Sequence, residues 1–117
     1  MKLLITLLFS VVFSSLAISQ DFTIRGFIYD DQGEPMPFEK VRLLSSDSTF
    51  LEGADTNLDG LYSFSKLKKG SYIVKIQSAE YKTQTQSVEV TAVKGVKDVT
   101  FDMKKRSEVL DFEDIVV

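Results

Sequence analysis

From residue 20 onward the chain alternates. Phe22, Ile24 and Ile28 are interleaved with Thr23, Arg25 and Tyr29, and Val41 and Leu43 with Lys40 and Arg42. Tyr62 and Phe64 alternate with Ser63 and Ser65, and Tyr72, Val74 and Ile76 with Lys75 and Gln77. Val88 and Val90 follow Ser87 and Glu89, and Val99, Phe101 and Met103 flank Thr100, Asp102 and Lys104. A period of two sends apolar side chains to one face of a strand and polar ones to the other. No stretch of helix length repeats at 3.6 residues. The run Thr49 to Thr56 has the length of a seventh strand but alternates poorly.

Turn chemistry separates these runs. Asp31-Gln32-Gly33 can reverse the chain, because Gly33 accepts positive φ. Pro35 and Pro37 lack backbone donors and mark a loop or a strand edge. Asn57-Leu58-Asp59-Gly60 and Lys68-Lys69-Gly70 read as two further tight turns. Short strands at this spacing predict an all-β domain, a seven-stranded sandwich of two antiparallel sheets. Pairing is expected mostly between hairpin neighbours, in a Greek-key order. The aromatics are expected mostly in the core, with Phe27, Tyr29 and Tyr81 left unassigned.

The two ends differ from this pattern. Met1-Lys2, the apolar run Leu3 to Phe13 and the small residues Ala17 and Ser19 form a secretory signal pattern over residues 1–19, with cleavage expected after Ser19 and Gln20 as the alternative. The apolar run is too short for the 20 or so residues of a membrane span. Residues 20–106 form the expected domain. Residues 107–117 (SEVLDFEDIVV) change character: four acids, no base and six apolar residues, with no turn formers. This segment reads as a linker able to add as a strand to a partner's sheet.

Composition then narrows the chemistry. The 117 residues contain no His and no Cys, and the formal net charge is −3. That excludes His-dependent triads, His-ligated metals, thiolate nucleophiles and disulfides. The domain carries 13 basic and 13 acidic side chains, so the imbalance of the exported chain sits in its last segment. Nothing here resembles a nucleic-acid footprint, which needs a clustered basic face. Asp55-Thr56-Asn57-Leu58-Asp59-Gly60 matches the opening of a calcium loop, yet its twelfth position is Lys66 rather than Glu. A backbone turn is the expectation, and no metal.

Ser45, Ser46, Ser48, Ser63 and Ser65 have no base of the right kind nearby in the pattern. The carboxylates sit on polar faces or in turns, where nothing is expected to raise a pKa. No catalytic residue and no cofactor is expected. Lys104-Lys105-Arg106 reads as a charged strand end, with a membrane-surface or lipopolysaccharide contact as the alternative.

The order of landmarks resembles a known family. Ile24-Arg25-Gly26-Phe27-Ile28-Tyr29-Asp30 with Gly33-Glu34-Pro35-Met36-Pro37 is similar to the opening of carboxypeptidase regulatory-like domains. Thr56-Asn57-Leu58-Asp59-Gly60-Leu61-Tyr62-Ser63-Phe64 resembles their T-D-x-D-G-x-Y-x-F, and Leu67-Lys68-Lys69-Gly70-Ser71-Tyr72 their L-x-x-G-x-Y. The resemblance spans residues 22–104 and implies a transthyretin-like (prealbumin-like) sandwich grouped with carbohydrate-binding-like folds. By it, Gly26, Gly33, Pro35, Pro37, Asp59, Gly60, Tyr62, Phe64, Gly70 and Tyr72 build turns and core, and no catalytic residue carries over. The chain departs from the pattern at Glu80-Tyr81, where the family often has Gly-Tyr, and at Asn57, where Asp is usual.

In Gram-negative envelopes such a domain commonly follows a signal peptide at the N-terminus of TonB-dependent outer-membrane receptors, ahead of an acidic–apolar segment leading to a plug. Leu110-Asp111-Phe112-Glu113-Asp114-Ile115-Val116-Val117 is similar to that segment. The resemblance implies a periplasmic, outer-membrane-associated domain. Asp111 to Val117 would contact a TonB-like energy transducer or the receptor's own plug and barrel. Two other readings stay open. One is a free-standing carbohydrate-binding module, which requires an exposed aromatic platform for a glycan. The other is a cell-surface structural or adhesive domain with an isopeptide crosslink, for which Asn57 is the single Asn.

Overall fold

The structure, a computed structural model, describes residues 20–106. The signal sequence expected over 1–19 and the segment 107–117, with Asp111 to Val117, lie outside the described residues. Eight strands follow one another: β1 (Asp21–Tyr29), β2 (Lys40–Ser45), β3 (Phe50–Asp55), β4 (Leu61–Leu67), β5 (Gly70–Ile76), β6 (Gln84–Val90), β7 (Lys94–Asp98) and β8 (Phe101–Asp102). They form two sheets. One has the order β4-β1-β7, with β8 also on β1, and the other the order β3-β2-β5-β6.

Among the described residues, the inward positions of both sheets make one core, running from Phe22 to Met103. Ile24, Ile28, Val41, Val74, Ile76 and Phe64 are fully buried, as the alternation requires.

Pairing departs from the expectation of hairpin neighbours. Only β2–β3 and β5–β6 pair with a sequence neighbour. At β1–β2, β3–β4, β4–β5 and β6–β7 the chain crosses to the other sheet. β1 is flanked by antiparallel β4 and by parallel β7 and β8, so distant parts of the chain meet on it. Such crossings bury both sheets' inner faces against each other, which a run of hairpins in one sheet would not do.

Local irregularities adjust the phase. β4 is bulged opposite β1, and Lys66 takes a left-handed φ of 57°. The extra residue turns Lys66 outward and Leu67 inward, which simple alternation would have reversed. The expected last strand, Val99 to Met103, is the end of an interrupted strand. Its first part, β7, shows no alternation because all five residues are exposed. Val99, Phe101 and Met103 are nonetheless buried.

Three loops share one hydrogen-bonding scheme. In Asp30–Glu34 the side chain Oδ1 of Asp30 accepts from the backbone N–H of Gln32 (2.8 Å) and Glu34 (2.9 Å). Gly33 N donates to Asp30 O, and Asp30 N to Glu34 O. In Asn57–Leu61 the Oδ1 of Asn57 accepts from Asp59 and Leu61, Gly60 N donates to Asn57 O, and Asn57 N to Leu61 O. In Ser45–Thr49 the same two backbone bonds recur, and Thr49 N donates to Ser45 Oγ.

Each loop needs a left-handed residue at its fourth position: Gly33 at φ 80°, Gly60 at φ 77° and Ser48 at φ 71°. Glycine carries this without steric cost, whereas an L side chain costs about 1–2 kcal/mol. Asp30 and Asn57, rather than Asp31 or Asp59, are thus the organising side chains.

Ser48 is the one of the three without glycine. Ser48→Gly is expected to stabilise the domain by about 1 kcal/mol, read as a higher thermal midpoint, because the strain is relieved and no buried contact is lost. A midpoint equal to or below the parent's would show that the loop tolerates serine without strain.

Candidate functional site

The residues marked in the sequence gather at two places. The first is where the interrupted strand crosses β1. Val99 N donates to Arg25 O (2.7 Å), and Phe27 N donates to Thr100 Oγ1 (3.3 Å). Between these bonds the Val99 carbonyl turns inward over Gly26. A Cβ on Gly26 would lie 1.7 Å from that oxygen, so no side chain fits. Tyr62, paired with Gly26 across β1–β4, donates its phenolic O–H to the same carbonyl from within the core. Burial, then the charge of Asp98, pushes the Tyr62 phenol well above its ordinary pKa, so it remains a donor. Phe64 packs against its ring, with centroids 5.8 Å apart.

The second place is the corner above Ile28. Ile28 N donates to Gly60 O (2.8 Å) and Met36 N to Ile28 O (2.9 Å). Pro35 bridges Tyr29, and a Cβ on Gly60 would meet the Ile28 carbonyl at 2.7 Å. Pro37 precedes Phe38, whose φ is a left-handed 61°. Thr56 holds this corner. It is the one buried polar residue among those described, and its role is not visible in the strand pattern. Its hydroxyl donates to Met36 O (2.6 Å) and accepts from Glu39 N (2.8 Å), while its backbone pairs with Phe38 and Glu39. The Thr that opens the T-N-L-D-G run is the only sequence signal for it.

Gly70 starts β5, and Tyr72, half-buried, donates its O–H to the Lys68 carbonyl (2.7 Å). The Lys104–Arg106 segment is stitched to residues 80–82. Lys82 N donates to Lys104 O (2.8 Å), Arg106 N to Glu80 O (3.0 Å), and Arg106 Nε to Tyr81 O (3.1 Å). Tyr81 is thereby buried at 8% exposure. In the calcium-like run, the Asn57 side chain is engaged by two backbone amides of its own loop. Among the described residues no group of three or more acidic side chains is arranged to hold a metal ion.

Three expectations about side chains are corrected. Phe38 and Phe50, expected in the core, are 73% and 59% exposed. Phe38 lies in the corner and Phe50 on an edge strand, where one side has no partner sheet. Glu39 is not an ordinary carboxylate. Burial, then the negative charge of Glu80, raises its pKa above the usual value. The turn at Pro37–Phe38 and the loop at Ser78–Tyr81 bring these acids to one cleft, a proximity that strand alternation does not encode.

The outer face of the first sheet carries an aromatic pair. Phe27 and Tyr29, two apart on β1, stack with centroids 5.9 Å apart and planes 18° from parallel. Beside them, Arg25, Leu61, Asp98 and Thr100 line a shallow cleft of about 460 Å³, and Arg25 Nε bonds Asp98 Oδ1 at 3.3 Å.

A two-sheet β-sandwich whose marked residues close corners and fill the core defines the class: a small all-β sandwich domain. The carboxypeptidase regulatory-like domain family matches residues 23–104, and the chain belongs to that family. No curated protein matches it in sequence. Among solved structures, the Bacillus anthracis TIE protein is similar with a TM-score of 0.64 and 16% identity. That match covers 73% of this chain and 17% of that one. BcpA, the major pilin subunit of Bacillus cereus, gives 0.63 and 11%, over 74% of this chain and 31% of that one. A putative carbohydrate-binding protein from Pseudomonas aeruginosa gives 0.56 and 14%, over 80% of this chain and 95% of that one. At these identities the likeness is one of fold. The chain spans less than a third of the first two relatives.

Two measurements follow. Tyr62→Phe strips the Val99 carbonyl of its buried donor and is expected to cost about 1–3 kcal/mol, with Gly26→Ala costing more. Urea unfolding reads both, and a Tyr62→Phe loss below half a kcal/mol would deny the bond its role. Glu39 acts with the opposite sign to a paired carboxylate. Its folded-state pKa is raised, so its stabilising effect is complete at low pH and is lost as pH rises through the raised value. Glu39→Gln should therefore melt above the parent at pH 7, and the two should converge below pH 4.5, the group's ordinary value.

Proposed function

We propose that this chain is the exported, non-enzymatic N-terminal domain of a TonB-dependent outer-membrane receptor for glycans or other nutrients too large to diffuse. It acts in the periplasm by protein contact. The carrying observation is the family match over 23–104. It is supported by the use made of the family residues: Gly26, Tyr62, Gly60, Pro35 and Phe64 form corners and core, which leaves the outer sheet faces to do the work. The sandwich positions the receptor's N-terminus, and Asp111 to Val117 offers a strand to the energy-transducing partner. In a pull-down with the periplasmic part of that partner, Phe112→Asp and Val116→Asp are expected to abolish most capture. Undiminished capture by both variants would sink the strand contact.

One observation favours a second reading, a carbohydrate-binding module. The stacked Phe27–Tyr29 pair is a platform of the kind sugars pack on, and the fold is similar to that of the putative carbohydrate-binding protein. A second pair of variants separates the readings. A glycan-array signal lost in Phe27→Ala with Tyr29→Ala, together with unaltered partner capture, supports the glycan.

A further inference from the structure

The outer face of the β3-β2-β5-β6 sheet is organised in rows that run across the strands. Gly53, Arg42, Lys75 and Thr85 make one row, each opposite the next. Phe50, Leu44, Ile73 and Ser87 make the row beside it. Extended peptides add to a sheet at a free edge. β2 and β5 are inner strands with a neighbour on both sides. Their backbone ladders are used, so over these strands only side chains can meet a ligand.

A cleft of about 380 Å³ lies over the two rows. Arg42 and the half-buried Lys75 bring two cations to it, and Ser48 and Thr85 two hydroxyls. Leu44, Ile73 and Phe50 supply its apolar lining. Leu44 is buried without belonging to the core cluster, so it is the outer face that covers it. The Phe50 ring is 59% exposed and reaches over Gly53, 3.6 Å from where a Cβ would stand. It also lines an adjoining cleft of about 510 Å³, together with Arg42.

No carboxylate of a described residue lines the smaller cleft. The acids of β3, β6 and the β2–β3 loop are placed elsewhere. Asp55 stands opposite Lys40, in the adjoining cleft. Glu52 stands opposite the core residue Leu43, on the other face of the sheet. Asp47 accepts from Ser45 Oγ and Thr49 N, and Glu89 accepts from Ser71 Oγ (2.7 Å). Among the described residues the single ion pair is Arg25–Asp98, so no described carboxylate forms one with Arg42 or Lys75. Like charges directly opposite destabilise a sheet. A local rule broken without structural compensation marks a place where function has been favoured over stability.

We propose that this cleft binds an acidic glycan through a uronate residue. The planar carboxylate suits the fork of the Arg42 guanidinium, with the Lys75 ammonium beside it. The sugar hydroxyls suit Ser48 and Thr85, and the C–H face of the ring packs on Phe50. Two cations with no acid among them select a charged sugar over a neutral one. The inference is independent of the receptor reading, and it concerns the sheet opposite to the one that bears Phe27 and Tyr29.

The test is calorimetric titration of the full chain with a trimer of galacturonic acid, and with the same trimer methyl-esterified. Saturable binding of the acid is expected, weakened by salt. The ester, which keeps the ring and loses the charge, should bind about tenfold more weakly or worse. Arg42→Gln with Lys75→Gln should lose binding to the same degree, yet melt no lower than the parent, because a repulsive pair is removed. Phe50→Ala should also weaken binding, whereas Lys94→Gln with Lys97→Gln on β7, and Phe27→Ala with Tyr29→Ala, should leave it unchanged. The acid should move the amide resonances of Arg42, Ile73, Lys75 and Thr85, a readout that needs no variant. Four results would overturn the proposal: no saturable binding, equal affinity for the ester, resonance shifts confined to the other sheet, or equally tight binding of a peptide of three glutamates.

Discussion

The phenol of Tyr62 reaches through the core to the Val99 carbonyl, and Gly26 gives that carbonyl room to turn inward. Much of the fold depends on this contact. Among the described residues, β1 alone joins β4 to the parallel pair β7 and β8. The parallel edge is interrupted at Val99–Thr100, so it cannot be held by an even ladder of backbone bonds. A buried carbonyl left unpaired there would carry its full desolvation penalty. The tyrosine removes the penalty while filling the core with its ring, and the glycine removes the steric bar. Neither residue works without the other.

The corners follow a related economy of parts. Asp30, Asn57 and Ser45 each use a side-chain oxygen to collect the amide of the residue four positions on, with a left-handed residue just before it. Two of these corners carry the chain between sheets, and they meet over Ile28 through Gly60 and Met36. Thr56 then fixes the intervening segment with its hydroxyl and both backbone groups. The result is a scaffold in which the residues typical of the family are occupied structurally. What is left for interaction is the outside: an aromatic pair on one sheet, and the Arg42–Lys75 pair of β2 and β5 on the other.

Charge is arranged to suit that division. The domain is neutral, and the acids in excess lie together in residues 107–117. Within the domain, Arg42 of β2 and Lys75 of β5 stand opposite each other on one face, while Glu39 and Glu80 share a cleft near Pro35 and Tyr81. A neutral whole with separated patches favours selective contact over general adhesion, because the long-range field is weak and the short-range field is strong.

The sequence by itself determined the all-β class, the two-faced strands, the location of the turns and most of the core, because period-two alternation and turn residues are local properties of the chain. It also marked Gly26, Gly60 and Tyr62. What those residues do was decided by tertiary structure. That Tyr62 serves Val99, that β7 runs parallel to β1, and that only two strand pairs are hairpins all depend on segments far apart in the chain. β7 was illegible because an edge strand exposed on both faces has no alternation to read. Phe38 and Phe50 misled for the converse reason: an aromatic residue signals burial only where a second surface covers it, and at a corner or a sheet edge none does.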